Sequence, residues 1–322
     1  MWTRVLLGDE VKLILDEKKI RKGMAVGLPY IGSKKKIAKK LIEIIKQNFG
    51  IDKTVYDLFG GGGAVTLECK LQGIDVVYND IDPISGQMIQ KILSEDREYL
   101  KTLICSREEF FQIRDKEDKT TDDYLKLLIN SFGNNNQDYL YSKKHSDIKY
   151  RLAKEIIKKH DCFYGYKQTE TFKDFVRSEN NFKLVGWDKK PEKLQILVGL
   201  QRLQQIGRIN QLVSIQDSKG TKEIKIHSKD YKEFSDIKNS IIYLDPPYKK
   251  TKKAYKHNNL NYEEFYIWCK VMSKDNIVLI SGYEMPDDFE VVYEFKKARS
   301  TFQGGNNGKS YEKLFMVKKV GD

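Results

Sequence analysis

The pattern of apolar and polar positions predicts an α/β chain that opens with an amphipathic helix. Four apolar residues recur at helical spacing, Ile37, Leu41, Ile44 and Ile45. Ser33 is a candidate N-cap for this helix, and Gly50 is a candidate stop. The segment 28–34, which precedes the helix, is short and mixed in polarity. The pattern therefore predicts one helix from about residue 34 to residue 49.

Short apolar runs around a group of glycines follow this helix. In chain order they predict a strand at 54–59, a glycine turn at 60–63, a helix at 64–71 ended by Gly73, and a strand at 74–78. The second strand leads into Asn79 and Asp80. An order of strand, glycine loop, helix, strand and acid is the opening of a doubly wound, nucleotide-binding sheet.

The middle of the chain differs from both ends. From about residue 94 to residue 221, charged helical stretches replace the β-branched runs. Strands resume at 223–227, 240–244, 276–280, 290–295 and 313–318. The last two flank a loop rich in Gly and Asn and predict an antiparallel edge. We therefore expect one domain formed by 26–93 and 222–322, with a mostly helical domain inserted at 94–221.

The composition indicates a globular protein with a hydrophobic core and a positive net charge. The chain has 322 residues, of which 40% are hydrophobic and 11% aromatic, and its formal net charge is +12. A positive balance favours polyanionic partners such as nucleic acids. No apolar signal segment or membrane-length run is present, and the four cysteines form no C-x-x-C pair. We expect a reduced, cytoplasmic protein with no membrane partner.

The most informative tetrapeptide is Asp245-Pro246-Pro247-Tyr248, which directly follows the predicted strand 240–244. In open α/β sheets, ligands bind outside the carboxyl ends of the strands. The two prolines lack N–H donors, so carbonyl acceptors stand beside a carboxylate and an aromatic ring. This set suits an exocyclic amine with two N–H groups. The alternative is a Pro-Pro turn that only ends a strand.

The tetrapeptide is one of five motifs that stand in the order of a known family. The chain resembles the DNA adenine-N6 methyltransferases of the Dam-like type, over about residues 28–315, although the middle matches only in position and character. The family's DPPY signature stands at Asp245, Pro246, Pro247 and Tyr248. Its cofactor motifs stand at Tyr30, Gly32 and Lys34 (Y-x-G-x-K), at Asp57, Phe59, Gly61 and Gly63 (D-x-F-x-G-x-G), and at the acids Asp80 and Asp230.

The resemblance implies a Rossmann-like, S-adenosylmethionine-dependent methyltransferase sheet whose insert, 94–221, recognises the target. It implies transfer of a methyl group from S-adenosylmethionine to N6 of a flipped-out adenine in duplex DNA. Asp57 would face the positively charged methionine end, Asp80 the ribose and Asp230 the cofactor adenine. Asp245 would serve both the catalytic and the cofactor site. A bacterial or phage origin is expected, with a cognate restriction endonuclease as a candidate partner.

Two further groups of residues are candidate DNA contacts. Lysines cluster just after the tetrapeptide, at Lys249, Lys250, Lys252, Lys253 and Lys256. Beside a base pocket they would contact phosphates without reading sequence, although a solvated charge run is the common alternative. In the insert, Asn134, Asn135, Asn136 and Gln137 could read adenine bases, or could simply be turn residues. The histidines show no metal-ligand spacing, and we expect no metal.

Three alternatives compete with adenine methylation, and the first is an enzyme of the same fold with another target. Cytosine N4 offers the same two hydrogens to the tetrapeptide, and an amine of RNA or protein is a more distant target. A catalytically silent DNA-binding relative would need damage at Asp57, Asp245 or Tyr248, and these residues are present. A dehydrogenase is disfavoured because Thr66 stands where G-x-G-x-x-G requires its third glycine.

Overall fold

The computed structural model of the protein divides into two compact units. It describes residues 5–7, 10–29, 32–181, 202–218, 223–247, 260–295 and 311–318. Unit 1 comprises Met1–Gln90 and Ser218–Asp322, and unit 2 comprises Lys91–Asp217. The predicted insert, 94–221, and unit 2 share most of their residues. Tyr30, Tyr248 and the lysine cluster at 249–256 lie outside the described residues.

Unit 1 is built on a seven-stranded mixed sheet. A separate antiparallel pair, β1 (Val5–Leu7) and β2 (Glu10–Lys12), precedes it. The strands of the main sheet are β3 (Val55–Asp57), β4 (Val76–Asn79), β5 (Lys225–His227), β6 (Ile241–Leu244), β7 (Ile277–Gly282), β8 (Phe289–Phe295) and β9 (Glu312–Val317). Their order is β5-β4-β3-β6-β7-β9-β8. The first five are parallel, and β9 pairs antiparallel with both β7 and β8, which confirms the predicted antiparallel edge.

Apart from short 3₁₀ turns, α-helices supply the rest of the regular structure in the described residues. They are α1 (Ala38–Phe49), α2 (Ala64–Leu71), α3 (Pro83–Ser94), α4 (Arg97–Thr102), α5 (Arg107–Arg114), α6 (Thr121–Asn130), α7 (Lys143–His160), α8 (Glu170–Asn181), α9 (Gln204–Gln216) and α10 (Tyr262–Met272). No helix in these parts of the chain is long and apolar enough to cross a bilayer.

Successive residues of β6 face opposite sides of the sheet, because side chains alternate along a strand. Ile241 and Tyr243 belong to a core cluster that packs α1 and α2 on one face. Ile242 and Leu244 belong to a second cluster, which packs α10 on the other face. Helices on both faces of a largely parallel sheet confirm the Rossmann-like fold class.

The amino-terminal helix begins later than the sequence predicted. Ser33 precedes a 3₁₀ turn, Lys34–Lys36, and makes no side-chain cap. Its buried hydroxyl has no hydrogen-bond partner, and α1 starts only at Ala38. The prediction of Ser33 as the N-cap was therefore wrong. Gly50 ends α1 as expected, at φ 80° and with its N–H donating to the Lys46 carbonyl.

Candidate active site

Three acids lie at the carboxyl edge of the parallel strands in unit 1. Asp57, the last residue of β3, pairs in register with Tyr78 of β4 and with Tyr243 of β6. Asp80 and Asp245 each stand two residues beyond those partners. Parallel strands end at the same edge, so the register brings together three residues from distant parts of the sequence. This edge is where an open α/β sheet binds ligands.

Asp57 is buried beneath the first turn of α2. Only 1% of the residue is exposed, and its Oδ2 accepts hydrogen bonds from the Thr66 backbone N at 3.1 Å and from Thr66 Oγ1 at 2.6 Å. Burial raises the pKa of Asp57 to about 7, aided by the negative charges of Asp245 and Asp80 and opposed by the Thr66 hydrogen bonds. The pKa of this carboxyl group therefore lies near neutral pH.

Replacing Asp57 with asparagine should remove a pH-dependent part of the stability. The ordinary pKa of the carboxyl is 3.8, and the folded value is about 7, so the folded state holds the proton more tightly. The group's contribution to the free energy of unfolding is complete below pH 4 and is lost as the pH rises towards 7. Denaturant unfolding at pH 4.5 to 8 measures the free energy of unfolding of wild type and of Asp57→Asn. As the pH rises, the wild-type value should fall relative to that of the variant. A constant difference would contradict the raised pKa.

The glycine loop lies against Tyr78 and Asp80. Gly60 donates its N–H to the Asn79 carbonyl at 2.9 Å, and Gly61 donates its N–H to Asp80 Oδ2 at 2.8 Å. The Tyr78 hydroxyl donates to the Gly61 carbonyl at 2.8 Å. Gly63 has φ +69°, which disfavours any residue with a side chain, and it stands directly before α2. The loop thus exposes little but backbone at the start of a helix.

Adding a methyl group at Gly60 should destabilise the fold. A Cβ there would lie 2.3 Å from Cε2 of Tyr78, whose ring is fully buried and held by its hydroxyl. Overpacking of this kind costs about 1–3 kcal/mol, so Gly60→Ala should lower the thermal midpoint clearly. Gly207→Ala is the matched control: it lies in α9 with nothing within 4 Å of the new Cβ, and it should be neutral or stabilising. Equal midpoints for the two variants would contradict the close contact at Gly60.

Asn79 joins three segments of this edge, although no motif singled it out. Its side-chain amide nitrogen donates to the Leu58 carbonyl at 3.1 Å and to the Lys229 carbonyl at 2.9 Å. Its side-chain oxygen accepts from the Lys229 backbone N at 2.9 Å. Asn79 is 1% exposed. It therefore fixes the position of the loop before Asp230 relative to the glycine loop.

An aromatic contact joins Phe59 to Tyr231, the residue that follows Asp230. Asp230 caps a 3₁₀ turn, Tyr231–Phe234, because its Oδ1 accepts from the Lys232 N at 2.9 Å. The ring of Tyr231 lies 5.8 Å from that of Phe59, and Phe59 also meets Phe265 of α10 edge to face. Phe59 thus anchors the glycine loop in the core while Asp230 stands at its border.

Lys34 connects the amino-terminal segment to the tetrapeptide. Its Nζ lies 2.8 Å from Asp245 Oδ1 and 2.8 Å from Glu312 Oε1, and all three side chains are largely buried. Burial lowers the pKa of Lys34, but attraction to Asp245 and Glu312 outweighs burial and raises that pKa above its usual value. Gly32, two residues earlier, has φ +77°. Lys34 is therefore a largely buried lysine and not a residue of a solvated surface run.

The same segment also contacts the glycine loop. Leu28 donates its backbone N–H to the Gly62 carbonyl at 2.8 Å. The space that a side chain at Gly27 would need is taken by the Lys35 side chain and by the backbone of Gly62 and Ala64. Burial lowers the pKa of Lys35 to about 8. Lys35 thus lies near the start of α2, although the sequence analysis gave it no role.

The described part of the tetrapeptide is held by neighbours on both sides. Asp245 binds Lys34, Pro246 is buried, and the carbonyl of Pro247 accepts a hydrogen bond from the Tyr262 hydroxyl of α10. Just before it, the hydroxyls of Tyr243 and Ser281 lie 2.7 Å apart in the core. Glu312 and Tyr262 escaped the sequence analysis because each approaches the tetrapeptide only through tertiary contacts.

In unit 2, the predicted base-reading residues form a tight loop between α6 and α7. The loop closes where Phe132 donates its N–H to the Asp138 carbonyl at 2.6 Å, next to an isolated bridge between Ser131 and Tyr139. Asn135 holds the turn: its Oδ1 accepts from the Gln137 N at 2.9 Å and its Nδ2 donates to Asp138 Oδ2 at 2.7 Å. Asn135 therefore has an internal structural role.

The other three residues of this loop differ from Asn135. Asn134 and Asn136 have φ 59° and 57°, a left-handed conformation that asparagine tolerates well. Gln137 is exposed, and its contacts to Asn135 and to Arg114, the latter at 3.5 Å, are made by its backbone N–H and carbonyl. The loop is anchored below by Arg208, which donates to the carbonyls at the end of α6, Leu128, Ile129 and Ser131.

A family model for D12 class N6 adenine-specific DNA methyltransferases matches residues 30–275. The matched residues include Lys34, the strands β3 and β4 on either side of the glycine loop, the whole of unit 2 and the tetrapeptide. The match ends before β7. No curated protein matches the chain. Among the described residues, no group of histidine, cysteine, aspartate or glutamate side chains is arranged to hold a metal ion.

Proposed function

The chain belongs to the D12 class N6 adenine-specific DNA methyltransferases, and on this premise we propose where it performs the reaction and how it selects its target. The family methylates N6 of adenine in DNA, with S-adenosylmethionine as the donor and the target base flipped out of the helix. Cytosine N4 is thereby set aside as the target atom. We assign catalysis to unit 1 and target recognition to unit 2.

The carboxyl edge of unit 1 fits the methyl donor. The glycine loop offers backbone and the N-terminus of α2 to a carboxylate, and Tyr78 leaves no space for a side chain at Gly60. Asp57, Asp80 and Asp230 supply negative charge for the cationic end, the ribose hydroxyls and the adenine ring, respectively. When bound there, the donor supplies an electrophilic methyl group on a sulfonium sulfur.

The tetrapeptide receives the target base in this proposal. Extruding an adenine from a duplex costs a few kcal/mol, and a pocket must recover that cost. Tyr248 stacks on the extruded ring. Asp245 and the carbonyl of Pro246 accept the two N6 hydrogens, which orients the nitrogen lone pair towards the methyl group. Alignment of this kind can supply on the order of 7–11 kcal/mol of barrier lowering.

The single observation that carries this assignment is the shared register of the acids. Asp57, Asp80 and Asp245 lie at the carboxyl ends of three neighbouring parallel strands, and Lys34 links Asp245 to the amino-terminal segment. A donor bound by the first two acids and a base bound by the third would therefore lie side by side. Direct transfer between them requires no metal, and we propose none.

Contacts to duplex DNA complete the proposal. The lysines at 249, 250, 252, 253 and 256 follow the base pocket in sequence and carry charge suited to phosphates. Asn134, Asn136 and Gln137 of unit 2 are the proposed base readers. We place the enzyme in the cytoplasm of a bacterium or a phage-infected cell, where a cognate restriction endonuclease is a candidate partner.

Nucleoside analysis tests the proposed chemistry. Unmethylated plasmid is incubated with the protein and S-adenosylmethionine, digested to nucleosides and separated by mass spectrometry. We expect N6-methyl-2′-deoxyadenosine to accumulate with duplex DNA as the substrate, and to be absent when the donor is withheld. Methylated cytosine as the product, or activity confined to RNA, would contradict the proposal.

A further inference from the structure

Glu312 lies at the active-site edge because its strand, β9, is antiparallel to the neighbouring strand β7. β9 pairs antiparallel with β7, so the start of β9 lies at the edge where β6 and β7 end. Lys34 Nζ lies at the same distance, 2.8 Å, from Asp245 Oδ1 and from Glu312 Oε1. One lysine thus bridges a carboxylate of the tetrapeptide and a carboxylate outside the matched family region, 30–275.

The charge balance of the three groups Lys34, Asp245 and Glu312 has a chemical consequence. An isolated Lys34–Asp245 pair would be neutral, and the ammonium would draw the carboxylate's charge towards itself. The ammonium has three donors, so it can bind both carboxylates at once. With Glu312 present, the three largely buried groups carry one net negative charge. Asp245 is then fixed in place while it keeps more of its strength as an acceptor.

We propose that Glu312 is a positioning residue for methyl transfer, which shares Lys34 with Asp245 so that Asp245 remains a strong hydrogen-bond acceptor for the target amine. This inference rests on the acceptor role proposed for Asp245. Glu312 acts through Lys34 and is not required to touch the base or the donor. Its loss should therefore slow the chemical step more than it weakens binding of either substrate.

Glu312→Gln tests this inference, because it keeps the side-chain shape and removes the charge. The single-turnover rate at saturating S-adenosylmethionine and duplex should fall by about 10- to 100-fold, the usual scale for a misplaced catalytic group. Donor affinity, measured by calorimetric titration, should stay close to that of wild type. Glu294→Gln is the matched control: it is exposed on β8, opposite Lys313 of β9, and its rate should equal that of wild type.

The pH profile of the rate separates positioning from a structural role. The other described titratable groups that act on this cluster are Tyr243 and Asp57, with Asp80 acting on Asp57. Removing the negative charge of Glu312 favours the ionised form of Asp245. The acid limb of the single-turnover rate should therefore move to lower pH in Glu312→Gln. An unmoved limb, or a rate within threefold of wild type, would overturn the inference.

A double-mutant cycle with Lys34→Gln covers the case in which Glu312→Gln folds poorly. Lys34→Gln alone leaves two carboxylates without their ammonium, whereas the double variant leaves only that of Asp245, so the double variant is expected to fold better than Lys34→Gln. If Glu312 acts through Lys34, the second substitution should cause no further loss of rate in the Lys34→Gln background. Additive losses would overturn the inference. Asp245→Ala in the same series tests the underlying role: if it stays active, the proposed function of Asp245 fails, whatever Glu312 does.

Discussion

Replacing Asp245 with alanine abolishes detectable methyl transfer in our account, while the protein still folds and binds its donor. The carboxylate is the proposed acceptor for an N6 hydrogen, and the loss of a positioned acid or base group costs about 10²–10⁴ in rate. The fold should persist because Lys34 keeps a second partner, Glu312, at 2.8 Å. The buried ammonium is therefore not left without a counter-charge.

Calorimetric titration with S-adenosylmethionine and single-turnover methylation separate these two effects. Asp245→Asn is the matched variant, because it retains one acceptor oxygen at the same position and should keep part of the activity. An Asp245→Ala protein that methylates at the wild-type rate would remove Asp245 from catalysis. One that loses donor binding would assign the residue chiefly to the cofactor site.

Stripping three side chains from the unit 2 loop should relax the target sequence. Asn134 and Asn136 are left-handed, so glycine is the replacement that removes their side chains without strain. Asn135 must stay, because it holds the turn through Asp138 and the Gln137 N–H. The variant Asn134→Gly, Asn136→Gly, Gln137→Ala should lose roughly 1–3 kcal/mol of discrimination for each base contact removed.

Methylation of a plasmid library measures that discrimination at each position of the target. The double variant Lys252→Gln, Lys253→Gln is the control for general DNA affinity. Loss of phosphate contacts should weaken binding to all sequences and reduce the salt dependence of that binding. If the loop variant keeps the wild-type order of preferred sites, recognition lies elsewhere in unit 2. A loop variant that binds all sequences more weakly would make these residues phosphate contacts.

Local signals predicted the elements around the glycine loop well. The helix predicted at 64–71 is α2 (Ala64–Leu71), since Gly63 and Gly73 bracket it and both have positive φ. The same kind of signal was wrong at Ser33. There the following residue, Lys34, opens a 3₁₀ turn, and its ammonium binds two largely buried carboxylates. A capping preference worth about 1 kcal/mol does not decide the geometry.

Residues that act through tertiary contacts could not be predicted. Tyr262 of α10 contacts the tetrapeptide directly, and Glu312 of β9 is linked to it through Lys34. Nothing near either residue in sequence indicates these contacts. Asn79 has no sequence signal of its own beside Asp80, and its role depends on the hydrogen bonds between its side-chain amide and the Lys229 backbone. Motifs therefore predict which residues carry chemistry, while the structure indicates which residues hold them in place.

The central claim is methyl transfer to adenine N6 within one short duplex sequence, and single-molecule sequencing of treated plasmid tests it most directly. Unmethylated plasmid is incubated with the wild-type protein and S-adenosylmethionine, and modified bases are mapped on both strands. The account predicts N6-methyladenine at every copy of one short sequence, and at none in a parallel reaction with Asp245→Ala. Modified cytosine, or modified adenines with no common sequence around them, would contradict it.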